Sequence, residues 1–253
     1  MTLGVNEDIA KAVLRRLVGH ELRYEFDVPG APVRADAVDI SLEALVGWEI
    51  KTAQDTTKRL TGQVAGYDRF FDLCWLFTAP QHANVELPEW WGLAVFEAKP
   101  FAAFDWPPGW SHEQHEEWQH RQAKVVAQAT VTVIREAQPN PNQKAVAMWS
   151  ALWAGERKAL CTVLGVHRSH HWRFADVADK LNFDQWRLLA RWAFVNRDPT
   201  EYPFSVAAEQ KWAYRVAELL GLPAPPSRPS AHRRAPVVAL ADRHPSLFPV
   251  VDD

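Results

Sequence analysis

Two short, nearly continuous apolar runs constrain the fold of this chain more than any other feature. They are "DLCWLFTA" at residues 72–79 and "WWGLAVFEA" at residues 90–98. Runs of this length and composition are typical of strands that are covered on both faces, as in a sheet packed between helices. We therefore expect a buried sheet here, and neighbouring segments must supply the helices that cover it.

The segments that precede these runs complete the pattern. The spacing of apolar residues predicts helices and strands in the order helix, three strands, helix, followed by the two buried strands. The predicted helices are 6–18, with Asn6 as N-cap, and 56–71, and the predicted strands are 22–28, 33–40 and 47–52. This order indicates an α/β fold with a mixed sheet flanked by helices.

The character of the sequence changes after residue 99. An aromatic, proline-containing connection leads into an α-helical C-terminal region with predicted helices at 111–136, 143–164, 174–181, 183–195 and 205–220. Residues 223–253 contain seven prolines, which is typical of a disordered or loosely attached tail. We therefore divide the chain into a domain at 1–100, a helical extension at 101–222 and a tail at 223–253.

Composition limits where the protein works and what it binds. The formal net charge of 253 residues is -3, so nucleic acid would be bound through a local patch or a metal ion rather than through bulk charge. Cys74 and Cys161 both lie in apolar stretches, which predicts buried thiols and a reducing compartment. Neither a signal peptide nor a membrane-spanning run is indicated, so we expect a cytoplasmic protein with no membrane partner.

Charged residues interrupt the third predicted strand, "GWEIKT". Residues two apart in a strand share a face, so Glu49 and Lys51 point to one side while Trp48 and Ile50 pack on the other. A hairpin would bring Asp36 beside Glu49 on the same face. Two interpretations are open at this point: the solvated face of an ordinary surface strand, or part of a metal-dependent active site.

The second interpretation has a specific chemistry. Two carboxylates a few ångströms apart suit Mg²⁺ or Mn²⁺, which prefer oxygen ligands. A neighbouring lysine can orient or deprotonate a metal-bound water, and the cation neutralises the charge that builds on a phosphate.

The pattern of Asp36 followed by Glu49-Ile50-Lys51 resembles the core motif of the PD-(D/E)xK nuclease superfamily. Together with "RADAV", "WEIKT", "DTTKRLTGQVAGYDRFFD" and "PEWWGL", it is similar to the MmcB-like DNA-repair family within that superfamily. The similarity covers roughly residues 5–100 and continues more weakly to about residue 198. It implies a restriction-endonuclease-like mixed sheet flanked by helices.

The resemblance also implies roles for individual residues. Asp36 and Glu49 correspond to metal ligands, the Ile50 carbonyl to a third ligand, and Lys51 to the catalytic lysine. Glu7, on the first helix, matches an acidic residue that many superfamily members turn towards the metal. Mg²⁺ or Mn²⁺ is therefore the expected cofactor.

A second motif lies on the following helix. Gln63 and Tyr67 match the Q-x-x-x-Y motif of RecB-like nucleases, and residues four apart on a helix project together. They could hold a phosphate and stack on a base or sugar of DNA. Lys58, Arg59 and Arg69 flank this helix, either as a phosphate track or as an ordinary solvated face.

These features favour a metal-dependent nuclease that acts on phosphodiester bonds of single-stranded, nicked or branched DNA, in repair or processing. One alternative is a non-catalytic module that retains the fold and binds nucleic acid or protein. Another is a structural or interaction protein whose helical half carries an interface. The Trp residues of that half recur at helical spacing, which predicts core or interface positions, at Trp149, Trp153, Trp186, Trp192 and Trp212.

Two further segments have weaker signals. "HRSHHWRF" (167–174) favours a solvated basic loop over a metal site, and such a loop could touch DNA phosphates. "HPSLFPVV" (244–251) loosely resembles the short peptides that bind bacterial sliding clamps, although it lacks their leading Gln. The alternative for this segment is the docking of Leu247 and Phe248 onto the domain.

Overall fold

A computed structural model of the chain describes residues 6–99, 112–166, 172–197 and 205–225. Seven α-helices and six strands occupy this part. The helices are α1 (Glu7–Val18), α2 (Leu60–Tyr67), α3 (His112–Gln128), α4 (Ala145–Ala151), α5 (Ala154–Val163), α6 (Phe183–Asn196) and α7 (Val206–Leu219). The strands are β1 (Arg23–Asp27), β2 (Arg34–Ile40), β3 (Leu45–Lys51), β4 (Leu73–Thr78), β5 (Gly92–Glu97) and β6 (Thr130–Arg135).

The six strands form one mixed sheet in the order in which they occur along the chain. The three central strands, β3, β4 and β5, run parallel, whereas β1, β2 and β6 are joined to their neighbours by antiparallel pairing. Both apolar runs form buried strands at the centre. The expected α/β fold with a mixed, helix-flanked sheet is confirmed.

Helix α1 follows the predicted signals closely. The Asn6 side chain accepts a hydrogen bond from the Ile9 N–H at 3.0 Å, and Gly19 ends the helix with a φ of 83°. Glycine reaches this left-handed conformation without steric cost. The apolar face of α1 packs into one cluster with Trp48 and Ile50 of β3.

The two faces of the sheet carry different layers. On the α1 face, residues of α1 and α3 pack against Trp48, Ile50, Phe77 and Phe96. On the opposite face, α2 and parts of α4 and α6 pack against a second cluster rich in aromatic rings. Glu49 and Lys51, which alternate with Trp48 and Ile50, point towards this second layer.

The helix predicted at 111–136 is wrong over its last part. Helix α3 ends at Gln128, and Thr130–Arg135 form β6, which pairs antiparallel with β5. The sequence of β6 is "TVTVIR", and its β-branched residues favour a strand over the continuation of a helix. The segment after residue 99 therefore contributes a strand to the sheet as well as helices.

Other helix boundaries also differ from the predictions. The helix predicted at 143–164 is two helices, α4 and α5, because the Glu156 carboxylate accepts the Trp153 N–H at 2.7 Å and starts a new helix there. The helix predicted at 174–181 is reduced to a short 3₁₀ turn at Phe174–Asp176, and the one predicted at 56–71 to α2. The predictions at 183–195 and 205–220 are confirmed as α6 and α7.

The helical region has its own core. Trp149, Trp186, Trp192 and Trp212 are buried in it, as their spacing predicts, while Trp153 is half-buried. Both cysteines are buried free thiols, in agreement with the sequence. In the described part of the chain, none of the helices combines the length and the apolar character needed to cross a bilayer.

Three predictions lie outside the described residues, wholly or for the most part. These are the histidines of "HRSHHWRF", nearly all of the tail at 223–253, and the sliding-clamp-like segment at 244–251.

Candidate active site

Glu49 and Lys51 lie side by side on the α2 face of β3, as strand alternation predicts. The Glu49 side chain is fully buried, and the Lys51 side chain is only 8% exposed. The Lys51 ammonium donates to Glu49 Oε1, and the Tyr67 hydroxyl donates to Glu49 Oε2 at 2.7 Å. Both oxygens of this buried carboxylate thus have a protein donor, as a buried charge requires.

Asp36 lies beside Glu49, in the position that the β2–β3 hairpin predicts. The two strands pair Ala37 with Trp48, and Asp36 Oδ2 accepts the backbone N–H of Ile50 at 2.7 Å. Burial raises the pKa of Asp36 to about 7, and the negative charge of Glu49 adds to this, although the Ile50 hydrogen bond and Lys51 act in the opposite direction. The groups around Asp36 therefore supply too little positive charge to offset the burial of its carboxylate.

Glu7 contacts Lys11, whereas the resemblance implies that it turns towards Asp36 and Glu49. Its charge contributes the smallest of the effects on the pKa of Asp36, and its carboxylate pairs with Lys11 at 2.7 Å. In the described part of the chain, no three His, Cys, Asp or Glu residues come together in a group that could hold a metal ion. The structure thus brings Asp36 and Glu49 together but leaves Glu7 turned to Lys11.

Two carboxylates nonetheless fit a hard divalent cation. Asp36 accepts a single backbone hydrogen bond, and a cation between the two groups would relieve their repulsion. Mg²⁺ commonly binds through one or two carboxylates and keeps several waters as its other ligands. For Ile50, the contact with Asp36 is made by the N–H, and the predicted role of its carbonyl stays a prediction.

Helix α2 places its two motif residues differently. Tyr67 is fully buried, with its ring stacked on Trp91 at 5.5 Å, and burial raises its pKa well above the ordinary value. The expected stacking of Tyr67 on a base does not fit this burial, because its ring already packs in the core and its hydroxyl holds Glu49. Gln63 lies one turn earlier, and its buried Oε1 atom has no hydrogen-bond partner among the described residues.

A surface cleft of about 740 Å³ opens beside Asp36. Gln63 forms part of its wall, together with four basic residues, Arg34, Lys58, Arg59 and Arg69. Of the residues expected to bind DNA, Lys58 and Arg59 are exposed here, and Gln63 is half-buried. A chain with a negative net charge thus concentrates positive charge next to its candidate site.

Glu25 is a neighbour of the site that sequence reasoning missed. On β1, Tyr24 pairs with Ala37 and Phe26 pairs with Ala35. Glu25 lies between them and is therefore opposite Asp36 in the strand register. Its φ of 53° is unusual for a residue other than glycine. The carboxylate pairs with Lys11 at 2.6 Å and with Arg34 at 2.8 Å.

The conformation of Glu25 changes the alternation of β1. Tyr24 packs against the α1 face of the sheet and Phe26 against the α2 face, although residues two apart in a regular strand share one face. Nothing in the sequence signals this, because glutamate is not a residue that favours positive φ.

Comparison with known proteins gives a partial match to a protein family. The family model of bacteriophage P4 protein cII matches residues 9–87, which is less than a third of the chain. The matched segment includes Asp36, Glu49, Lys51 and Tyr67, and leaves out Glu7. No curated protein matches the chain. No solved structure matches it either.

Proposed function

We propose that this protein is a metal-dependent nuclease that hydrolyses phosphodiester bonds of DNA, in repair or processing. The observation that carries the proposal is the buried Glu49–Lys51 pair with Asp36 beside it, next to a cleft rich in positive charge. A carboxylate with a strongly raised pKa beside a cleft is typical of functional sites. The similarity to PD-(D/E)xK nucleases gives this arrangement its specific chemistry.

Each residue of the site has a task in this proposal. Asp36 and Glu49 would hold Mg²⁺ or Mn²⁺, which would neutralise charge on the phosphate and acidify a water molecule. Lys51 uses one donor on Glu49, and its ammonium carries two more that can hold the attacking water or a phosphate oxygen. Tyr67 acts through Glu49: its hydroxyl fixes the carboxylate in place. Lys58 and Arg59 would hold the DNA backbone.

A cleavage assay tests the proposal. End-labelled single-stranded, duplex, nicked and branched DNA are incubated with the full chain in Mg²⁺, Mn²⁺ or EDTA. We expect metal-dependent cleavage that Lys51→Ala lowers by about 100-fold or more, as expected for loss of a group that handles the proton. Lys124→Ala, an exposed position on α3, is the matched control and should cleave like wild type. Equal cleavage by wild type and Lys51→Ala would remove Lys51 from the mechanism.

One observation favours a second candidate, a non-catalytic binding module with the same site. Both Glu49 oxygens already have protein donors, so Glu49 is neutralised by Lys51 without any cation. This candidate predicts DNA binding that survives Asp36→Ala and no turnover with Mg²⁺ or Mn²⁺. Metal-dependent cleavage that is lost in Asp36→Ala would exclude it.

A further inference from the structure

Arg59 and Arg69 differ from all other arginines in the described ranges of the chain. Every other guanidinium there donates to, or forms an ion pair with, a carboxylate, a backbone carbonyl or a side-chain amide oxygen. These paired arginines are Arg15, Arg16, Arg23, Arg34, Arg121, Arg135, Arg157, Arg173, Arg187, Arg191, Arg197 and Arg215. Arg59 and Arg69 are exposed and have no such contact within those ranges.

The two unpaired arginines lie in the same place. Both line the cleft beside Asp36, Arg59 just before the first residue of α2 and Arg69 shortly after its last, and Lys58 lines it as well. Arg34 also reaches this cleft, but it is paired with Glu25. Guanidinium groups match phosphate geometry with two parallel N–H donors. An unsatisfied pair in one cleft therefore favours a ligand that carries more than one phosphate.

The rest of the cleft lining decides which form of DNA fits. None of the residues that line it is aromatic, and apart from the polar residues already named they are small or aliphatic: Ala31, Pro32, Val33, Gly62, Ala65 and Gly66. Proteins that bind single strands use aromatic rings on which successive bases stack. A duplex needs no such surface, because its bases stack on each other and its phosphates face outward.

We propose that this cleft binds the sugar-phosphate backbone of double-stranded DNA, with Arg59 and Arg69 each holding a phosphate independently of sequence. The inference rests on the proposed function and narrows its substrate class to DNA with a duplex arm. Of the two alternatives for the basic residues that flank α2, it selects the phosphate track over the ordinary solvated face.

Binding is measured with the full chain in EDTA, so that cleavage cannot interfere. The probes are a labelled duplex and one of its strands alone, each titrated at several salt concentrations between about 50 and 200 mM, a range over which phosphate contacts weaken measurably. The variants are Arg59→Gln and Arg69→Gln. The control is Lys124→Gln, which removes one exposed positive charge from α3, on the opposite face of the sheet. Wild type should bind the duplex more tightly than the single strand, and equally well after the duplex sequence is scrambled.

A plot of log affinity against log salt concentration has a negative slope for phosphate binding. Each arginine variant should make this slope less steep by about 0.9, the value for one lost phosphate contact. Lys124→Gln should leave the slope unchanged. Tighter binding of the single strand, no binding of either probe at low salt, or an unchanged slope in Arg69→Gln would overturn the inference.

This binding measurement, combined with the cleavage assay described above, separates the inference from the nuclease proposal. Duplex binding that depends on Arg59 and Arg69, without cleavage in any metal, would support the cleft and defeat the nuclease. Metal-dependent cleavage with unchanged duplex binding in both arginine variants would support the nuclease and defeat the proposed role of the cleft.

Discussion

Two aspartates close to the sheet, Asp72 and Asp36, have pKa values shifted in opposite directions. Asp72, just before β4, is buried and accepts four N–H groups: from Leu45 at 2.7 Å, Gln143 at 3.0 Å, Arg187 at 2.9 Å and Arg191 at 2.8 Å. Although burial raises the pKa of Asp72, Arg191 and the other donors outweigh it and the pKa is lowered. Asp36 has one backbone donor and a like-charged neighbour, and its pKa rises to about 7.

The difference separates an aspartate that holds the structure together from one that the proposed function uses. Asp72 is fully compensated by groups from β3, from the segment before α4 and from α6, so it fastens the helical region to the sheet. Asp36 accepts one backbone N–H, and this donor does not offset the burial of its carboxylate and the negative charge of Glu49. An unfavourable charge that the protein itself does not neutralise is typical of a site that awaits a ligand.

The largest effect is expected at Asp72. Asp72→Ala leaves Arg187 and Arg191 without their carboxylate and should lower the free energy of unfolding by about 3 kcal/mol, in the range for breaking a buried ion pair. Urea unfolding followed by circular dichroism measures this. A loss below about 1 kcal/mol would contradict the structural role of Asp72.

Asp36 should destabilise the folded state at neutral pH, whereas Asp72 stabilises it. Its folded pKa of about 7 exceeds its ordinary value of 3.8, so between these pH values the folded state holds a proton that the unfolded chain has released. Its contribution to stability is therefore full below pH 4 and is lost as pH rises to 7.

Urea unfolding in EDTA at pH 5 and pH 8 tests this sign. Asp36→Asn cannot titrate, so its stability relative to wild type should increase between the two pH values by about 2 kcal/mol, less than full burial would give. A relative stability that stays constant or decreases would show that Asp36 is compensated like Asp72.

Tyr67 contacts the candidate site through Glu49, and its effect on cleavage should exceed its effect on stability. Tyr67→Phe removes the donor to Glu49 Oε2 and keeps the ring packed on Trp91, so stability should fall by only about 1 kcal/mol. Cleavage should fall by about 10-fold, since partners that orient a metal ligand commonly contribute this much. The maximum of the pH–rate profile should also shift, which a purely structural role would not cause. Unchanged cleavage and profile would leave Tyr67 a core residue only.

The smallest effect concerns Glu25. Both Glu25→Gly and Glu25→Ala lose the ion pairs with Lys11 and Arg34, but only glycine relieves the positive φ. The glycine variant should therefore be more stable than the alanine variant by about 1 kcal/mol in thermal unfolding. Equal stability of the two would mean that the backbone at this position is not strained.

Much of the fold and part of the site could be predicted from local sequence. The alternation of Trp48 and Ile50 with Glu49 and Lys51 fixes which side each residue takes, because a strand has a period of two. The hairpin then brings Asp36 to Glu49 by register alone. These are short-range consequences of backbone geometry.

What could not be predicted depends on long-range partners. The segment of β6 follows α3 directly, and although its β-branched residues favour a strand, the partner strand β5 cannot be identified from the local sequence. The compensation of Asp72 comes from Arg187 and Arg191, more than a hundred positions away in the chain. That Arg59 and Arg69 have no partner among the described residues likewise becomes visible only once the contacts of the other arginines are known.

The central claim is that Asp36 and Glu49 share a divalent cation. Crystals of the full chain soaked in Mn²⁺, with anomalous diffraction recorded, test it most directly. The account predicts one Mn²⁺ peak within coordinating distance of both carboxylates, about 2.0–2.6 Å from their oxygens. It is contradicted if no ion binds there and Glu49 stays engaged by Lys51 and Tyr67 alone.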